Sequence, residues 1–124
     1  MAKRKPRRAR KPKRSGRKTR RAAGRKLPKN AVTLIVILRA REGQETLLEA
    51  ELRALVSPSR REAGCLTYNL HRSIDTPVAH LLHEVWASRE AHTSHTLTRP
   101  FLRWNARKDA LLASREANFW KQIV

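Results

Sequence analysis

The stretch AVTLIVILRA, residues 31–40, constrains this chain more than any other. It is a near-continuous run of β-branched residues and leucine, which predicts a strand. Val32, Leu34, Val36 and Leu38 fall on one face, and Ile35 and Ile37 on the other. A strand apolar on both faces must be covered on both. Helices of the same chain can cover one face. The second cover must come from another layer or another subunit.

The pattern after this strand shows what supplies the first cover. Gly43 breaks the chain, and in QETLLEAELRALV the residues Leu47, Leu48, Leu52, Leu55 and Val56 recur at helical spacing. Pro58 is expected to kink or end that helix, and Gly64 suits a left-handed stop. CLTYNLHRS (residues 65–73) alternates, with Leu66, Tyr68 and Leu70 expected to face the helices and Thr67, Asn69 and His71 pointing the other way. IDTPVA makes a turn, and HLLHEVWAS (80–88) returns as the second arm of a hairpin. Ser88 is a good N-cap for a helix from Arg89 to about Thr98. Pro100 is placed to start a further helix carrying Phe101, Trp104, Leu111 and Leu112. NFWKQIV (118–124) is expected to be a short closing strand. The order β-α-β-β-α-β is the ferredoxin-like α+β arrangement, a four-stranded antiparallel sheet with helices on one face. Its bare face predicts a homodimer in which two sheets close on each other.

Charge divides the chain. The total is +19, but residues 1–29 hold 16 Lys or Arg and no acid, and residues 30–124 carry a net +3. Residues 1–29 are too poor in apolar side chains to fold alone and are expected to be a disordered basic tail, with the folded domain at 30–124. Three readings of the tail remain open. It contacts the phosphates of a nucleic acid or another polyanion, through Arg7, Arg8, Lys11, Lys13, Arg14, Arg17, Lys18, Arg20 and Arg21. It is a solvated appendage. Or the natural protein starts later, at a valine codon such as Val32. Cys65 is the single cysteine, so no intrachain disulfide forms, which fits a reducing, cytoplasmic setting. No apolar run approaches the roughly 20 residues a bilayer span needs, so no membrane partner is expected. The basic N-terminus lacks the apolar segment of a secretory signal.

Four of the five histidines lie in HLLHEVWASREAHTSH (80–95), beside Glu84 and Trp86. His92 and His95 are one turn apart and could share a metal with His71 or Glu84. The spacing is not that of a zinc motif, however, and no metal is expected. The alternative is acid/base chemistry without a metal. Glu84 and Trp86 share strand parity, and if they line the barrel, Asn69 and His71 on the neighbouring strand are expected beside them. A carboxylate in an apolar barrel is expected to titrate above its ordinary range.

GCLTYNLHR (64–72) and EVWASREA (84–91), with His95 and the pair Pro100–Phe101 after them, resemble the antibiotic biosynthesis monooxygenase family of small dimeric α+β barrels. The resemblance spans about residues 32–124. It implies oxidation of a quinol or polycyclic phenol by O₂ with no cofactor, His95, Glu84 and Trp86 forming the catalytic group and Asn69, His71 and His92 binding a small aromatic substrate. The same resemblance leaves open a non-catalytic barrel that binds an aromatic ligand. Two positions depart from related branches. Leu82 stands where the phenol-oxidising branch has Asn four residues before its Trp. Val36 stands about where the haem-degrading branch needs Asn.

Overall fold

The computed structural model describes residues 26–76 and 78–124. The expected basic tail, with its nine candidate phosphate contacts between positions 7 and 21, lies outside the described residues apart from 26–29. Seven elements follow in order: β1 (Val32–Ala40), α1 (Glu45–Arg60), β2 (Cys65–Arg72), β3 (Ala79–Trp86), α2 (Arg89–His95), α3 (Arg99–Leu111) and β4 (Leu112–Trp120). The strands form one antiparallel sheet in the order β2-β3-β1-β4. This is the ferredoxin-like α+β fold. Both strands apolar on the helix side, β1 and β3, are central, where burial rewards such residues most.

Leu34, Val36 and Leu38 of β1 pack with Leu48, Leu52 and Leu55 of α1, Leu82 and Trp86 of β3, and Trp104 of α3. Leu48 and Leu52 are wholly buried. Burial of each such side chain stabilises the fold by about 1.5–3 kcal/mol. The opposite face of the sheet carries Ile35, Ile37 and Leu81, all partly exposed.

Four local expectations are corrected. α1 does not stop at Pro58 but runs on to Arg60. Proline removes one N–H from the ladder, and the end of the helix is held instead by Arg60, whose Nε donates to the Tyr68 carbonyl and whose terminal nitrogen donates to Asn69 Oδ1, both at 3.0 Å. Gly64 is not left-handed; that conformation belongs to Gly43, at φ 79°. Gly64 is there for space, since a Cβ on it would lie 2.4 Å from the Cβ of Ala91 in α2. A register irregularity between Cys65 and Thr67 takes Leu66 out of the alternation, so Leu66 is 38% exposed while Tyr68 is buried. Finally, the closing strand is Leu112–Trp120, not residues 118–124, and Leu112 belongs to it rather than to the preceding helix. β4 is an edge strand with Ser114, Arg115 and Glu116 exposed, so it lacks the apolar alternation that marks a strand. Its pairing with β1, from Ala40 opposite Leu112 to Thr33 opposite Trp120, fixes it.

Candidate active site

β3 is the spine of the site. Alternation along it puts Leu82, Glu84 and Trp86 on the face that packs against the helices. Glu84 lies opposite Tyr68 on one side and Leu34 on the other. Glu84, Trp86 and Tyr68 are all at most 3% exposed. A carboxyl group this deep needs a partner, and the Trp86 indole supplies one: Nε1–H donates to Glu84 Oε1 at 2.9 Å. Burial raises the Glu84 pKa to about 7, helped by the nearby Glu62 charge and opposed by the Trp86 hydrogen bond and the Arg115 charge. Near neutral pH this carboxyl is therefore divided between its two protonation states.

α2 brings the histidines onto this surface. Ser88 caps it, its hydroxyl accepting the Ala91 N–H at 3.0 Å. His92 and His95, one turn apart, both reach the Trp86 ring, with centroids at 5.9 and 4.5 Å. His95 is buried and also meets Tyr68 at 5.7 Å and Phe101 at 5.1 Å. His92 is half-buried against Phe119 at 5.1 Å, and the Arg89 guanidinium lies 4.3 Å above the same phenyl ring. Burial first, then the charges of His95, Arg115 and Arg89, lower the His92 pKa to about 4, so this ring is neutral at physiological pH.

Glu62 is the member of the candidate site that the sequence did not reveal. Its Oε2 lies 2.7 Å from His95 Nδ1. A carboxylate can only accept, so Nδ1 carries the proton, and in the neutral ring the lone pair sits on Nε2. Nε2 has no hydrogen-bond partner among the described residues. Glu62 reaches this position because α1 continues past Pro58. The signal was hard to find: an acid in the polar loop RREAG looks like a solvated residue, and its partner is 33 positions away.

The structure gathers Glu84, Trp86, His92 and His95, adds Tyr68, Phe101 and Phe119, and leaves out two expected neighbours. Asn69 pairs across the hairpin with His83 and His71 with Leu81, so both belong to the opposite face of the sheet. Strand parity is the reason: Tyr68, not Asn69, stands opposite Glu84. Asn69 is tied to Arg60, and His71 is exposed. Trp86 has its only donor on Glu84, so that N–H is not available to a substrate. The Cys65 thiol is pushed up to about 11, chiefly by burial, and is no nucleophile at neutral pH. Among the described residues no three His, Cys, Asp or Glu side chains converge as metal ligands. Glu84, Trp86 and His95 are each at most 3% exposed. The ring cluster is closed in this conformation. No helix among the described residues is long and apolar enough to cross a membrane.

The fold agrees with comparison to known proteins. The sequence model of the antibiotic biosynthesis monooxygenase family matches residues 31–107. The chain belongs to that family. Among solved structures it resembles PA3566 from Pseudomonas aeruginosa, at 37% identity and a TM-score of 0.74, covering 77% of this chain and 96% of the other. It also resembles Rv0793 from Mycobacterium tuberculosis, at 27% identity and a TM-score of 0.73, covering 77% and 97%. A structure described as an antibiotic biosynthesis monooxygenase shares the fold at 21% identity and a TM-score of 0.70, covering 75% and 99%. No curated protein matches the chain.

Proposed function

We propose that this is a cytoplasmic, cofactor-independent monooxygenase that oxidises a quinol or polycyclic phenol with O₂. One observation carries the reading. Two separately held proton-exchanging groups, Glu84 and the Glu62–His95 pair, stand within a single shell of aromatic rings. An electron-rich phenol becomes an easy electron donor to O₂ once deprotonated, so a base in a dry aromatic site is the protein's main contribution. His95 Nε2 takes the phenolic proton, Glu62 holds the imidazolium, and Glu84 exchanges the second proton. The substrate supplies all the electrons: one oxygen atom enters the ring and the other leaves as water.

A substrate reaches His95 only when the closed shell parts. That same closure favours a second reading, a non-catalytic barrel that takes up a small aromatic ligand between its rings. The domain is further proposed to work as a homodimer, with the Ile35, Ile37 and Leu81 face of the sheet covered by a second copy. Oxygen uptake by chelator-treated protein, offered a panel of hydroquinones and anthrones, separates the two readings. The monooxygenase reading expects uptake that His95→Ala lowers by about 10² to 10⁴, the usual loss for a general base. Ligand binding without uptake across the panel supports the non-catalytic barrel instead.

A further inference from the structure

A second cluster of charge lies away from the ring shell. Glu49, Arg53, Val56 and Arg60 recur at helical spacing and form one stripe of α1. The stripe faces the outer edge of the sheet, where Arg72 of β2 stands opposite His80 of β3. Between them is a cleft of about 490 Å³, floored by Val56 and Leu70.

The charges of this cleft do not balance. Glu49 is its one carboxylate. Arg72 clasps both Glu49 oxygens, Arg53 reaches one at 3.2 Å, and His80 Nε2 lies 2.9 Å from the other. These partners, Arg72 first, hold the Glu49 pKa far below the usual carboxylate range, so its charge is permanent. Three guanidiniums against one carboxylate leave two positive charges. Donors are left over too. Arg53 spends only Nε on Glu49, Arg60 spends Nε and one terminal nitrogen on β2, and Arg72 spends Nε and one terminal nitrogen on Glu49. Each guanidinium keeps at least one terminal nitrogen unused. His80 turns its Nε2–H to Glu49, so its neutral ring adds no donor to the cleft, and the arginines alone supply the free N–H groups.

We propose that this cleft binds a phosphate-type dianion, free or as the ester of a small apolar molecule. Two uncompensated charges match a dianion rather than a monoanion. Three guanidinium edges suit the three peripheral oxygens of a tetrahedral phosphate better than the two of a carboxylate. Glu49 serves as the internal counter-ion that holds Arg53 and Arg72 beside the cleft until the ligand arrives. Val56 and Leu70 offer an apolar floor to the body of an ester.

The basic segment at residues 1–29 also attracts phosphate, so the test must be specific to the site. Inorganic phosphate is titrated into the full chain at fixed ionic strength, with the Nε–H signals of Arg53, Arg60 and Arg72 and the His80 ring followed by NMR. Saturable shifts at these groups are expected, and tighter binding of phenyl phosphate than of phosphate identifies the ester as the preferred form; equal binding identifies the free ion. Arg53→Met, at a largely exposed side chain, should weaken binding about tenfold while the fold persists. Glu49→Gln should tighten binding, because it removes the internal competing charge, although it lowers melting temperature by leaving Arg72 and His80 one acceptor oxygen and no negative charge. Shifts that never saturate, or an affinity that Arg53→Met leaves unchanged, overturn the proposal.

Discussion

Glu84 and His92 sit in one ring cluster and titrate in opposite directions, which gives a sharp test at the scale of the residue. The Glu84 pKa is raised in the fold, so its contribution to stability is complete below its ordinary pKa near 4.5 and is lost as pH rises through about 7. The His92 pKa is lowered, so its contribution is complete above about 6.5 and is lost as pH falls through about 4. Across pH 4.5–6.5 the two slopes oppose each other. Thermal melts of Glu84→Gln should therefore show stability rising with pH in that window, and melts of His92→Gln should show it falling. Parallel profiles for the two variants would contradict the burial of both groups. Glu62→Gln tests the His95 arrangement differently. An amide can still meet the imidazole but cannot hold its positive charge, so turnover should drop while substrate affinity stays nearly unchanged. In the sequence, strand parity put Glu84 and Trp86 on one face, and the family resemblance singled out His95. The sequence could not show Glu62 or Tyr68 as their partners, because those contacts depend on how far α1 runs and on the register of a bulged strand.

At the scale of the element, α2 is the part whose docking decides the site. It has seven residues, too few to be stable alone, and it owes its place to the Ser88 cap and to close packing on Gly64. Gly64→Ala brings two Cβ atoms to 2.4 Å and must push α2 outward. A loss of about 1–3 kcal/mol is expected, the usual cost of overpacking. The double variant Gly64→Ala with Ala91→Gly should recover much of it, since it moves the methyl group from one wall to the other. Chemical denaturation of the three variants measures this directly; no recovery in the double variant would mean Gly64 serves the turn rather than the contact. Elements with strong local signals, such as the doubly apolar β1 and the leucine stripe of α1, were legible from sequence. β4 was misplaced because an exposed edge strand carries Ser114, Arg115 and Glu116 where a buried one would alternate, and only its pairing with β1 defines it. α1 does not end at Pro58, and Arg60 anchors its last turn through tertiary hydrogen bonds.

For the whole molecule, one observation about the sheet and one about the chain's charge lead to predictions. The partly exposed Ile35, Ile37 and Leu81 face should pair with a second copy, so sedimentation of protein lacking residues 1–29 should give about twice the monomer mass; a stable monomer at micromolar concentration would remove the proposed barrel. The 16 basic residues of positions 1–29 should bind DNA with little sequence preference and a steep salt dependence, about −0.9 in log–log slope per phosphate contact. Deleting them should abolish that binding and leave oxidation intact. The ferredoxin-like order was readable from the sequence because β1, α1 and the β2–β3 hairpin are marked by local pattern. The closure of the ring cluster was not, since it follows from packing among β3, α2 and α3. The central claim is that one atom of O₂ enters the substrate with no cofactor. Turnover of an anthrone or hydroquinone by chelator-treated protein under ¹⁸O₂ tests it most directly. The account predicts product heavier by one labelled oxygen, with the second label in water and no hydrogen peroxide released. Unlabelled product accompanied by peroxide, or no reaction until a metal or flavin is added, would contradict it.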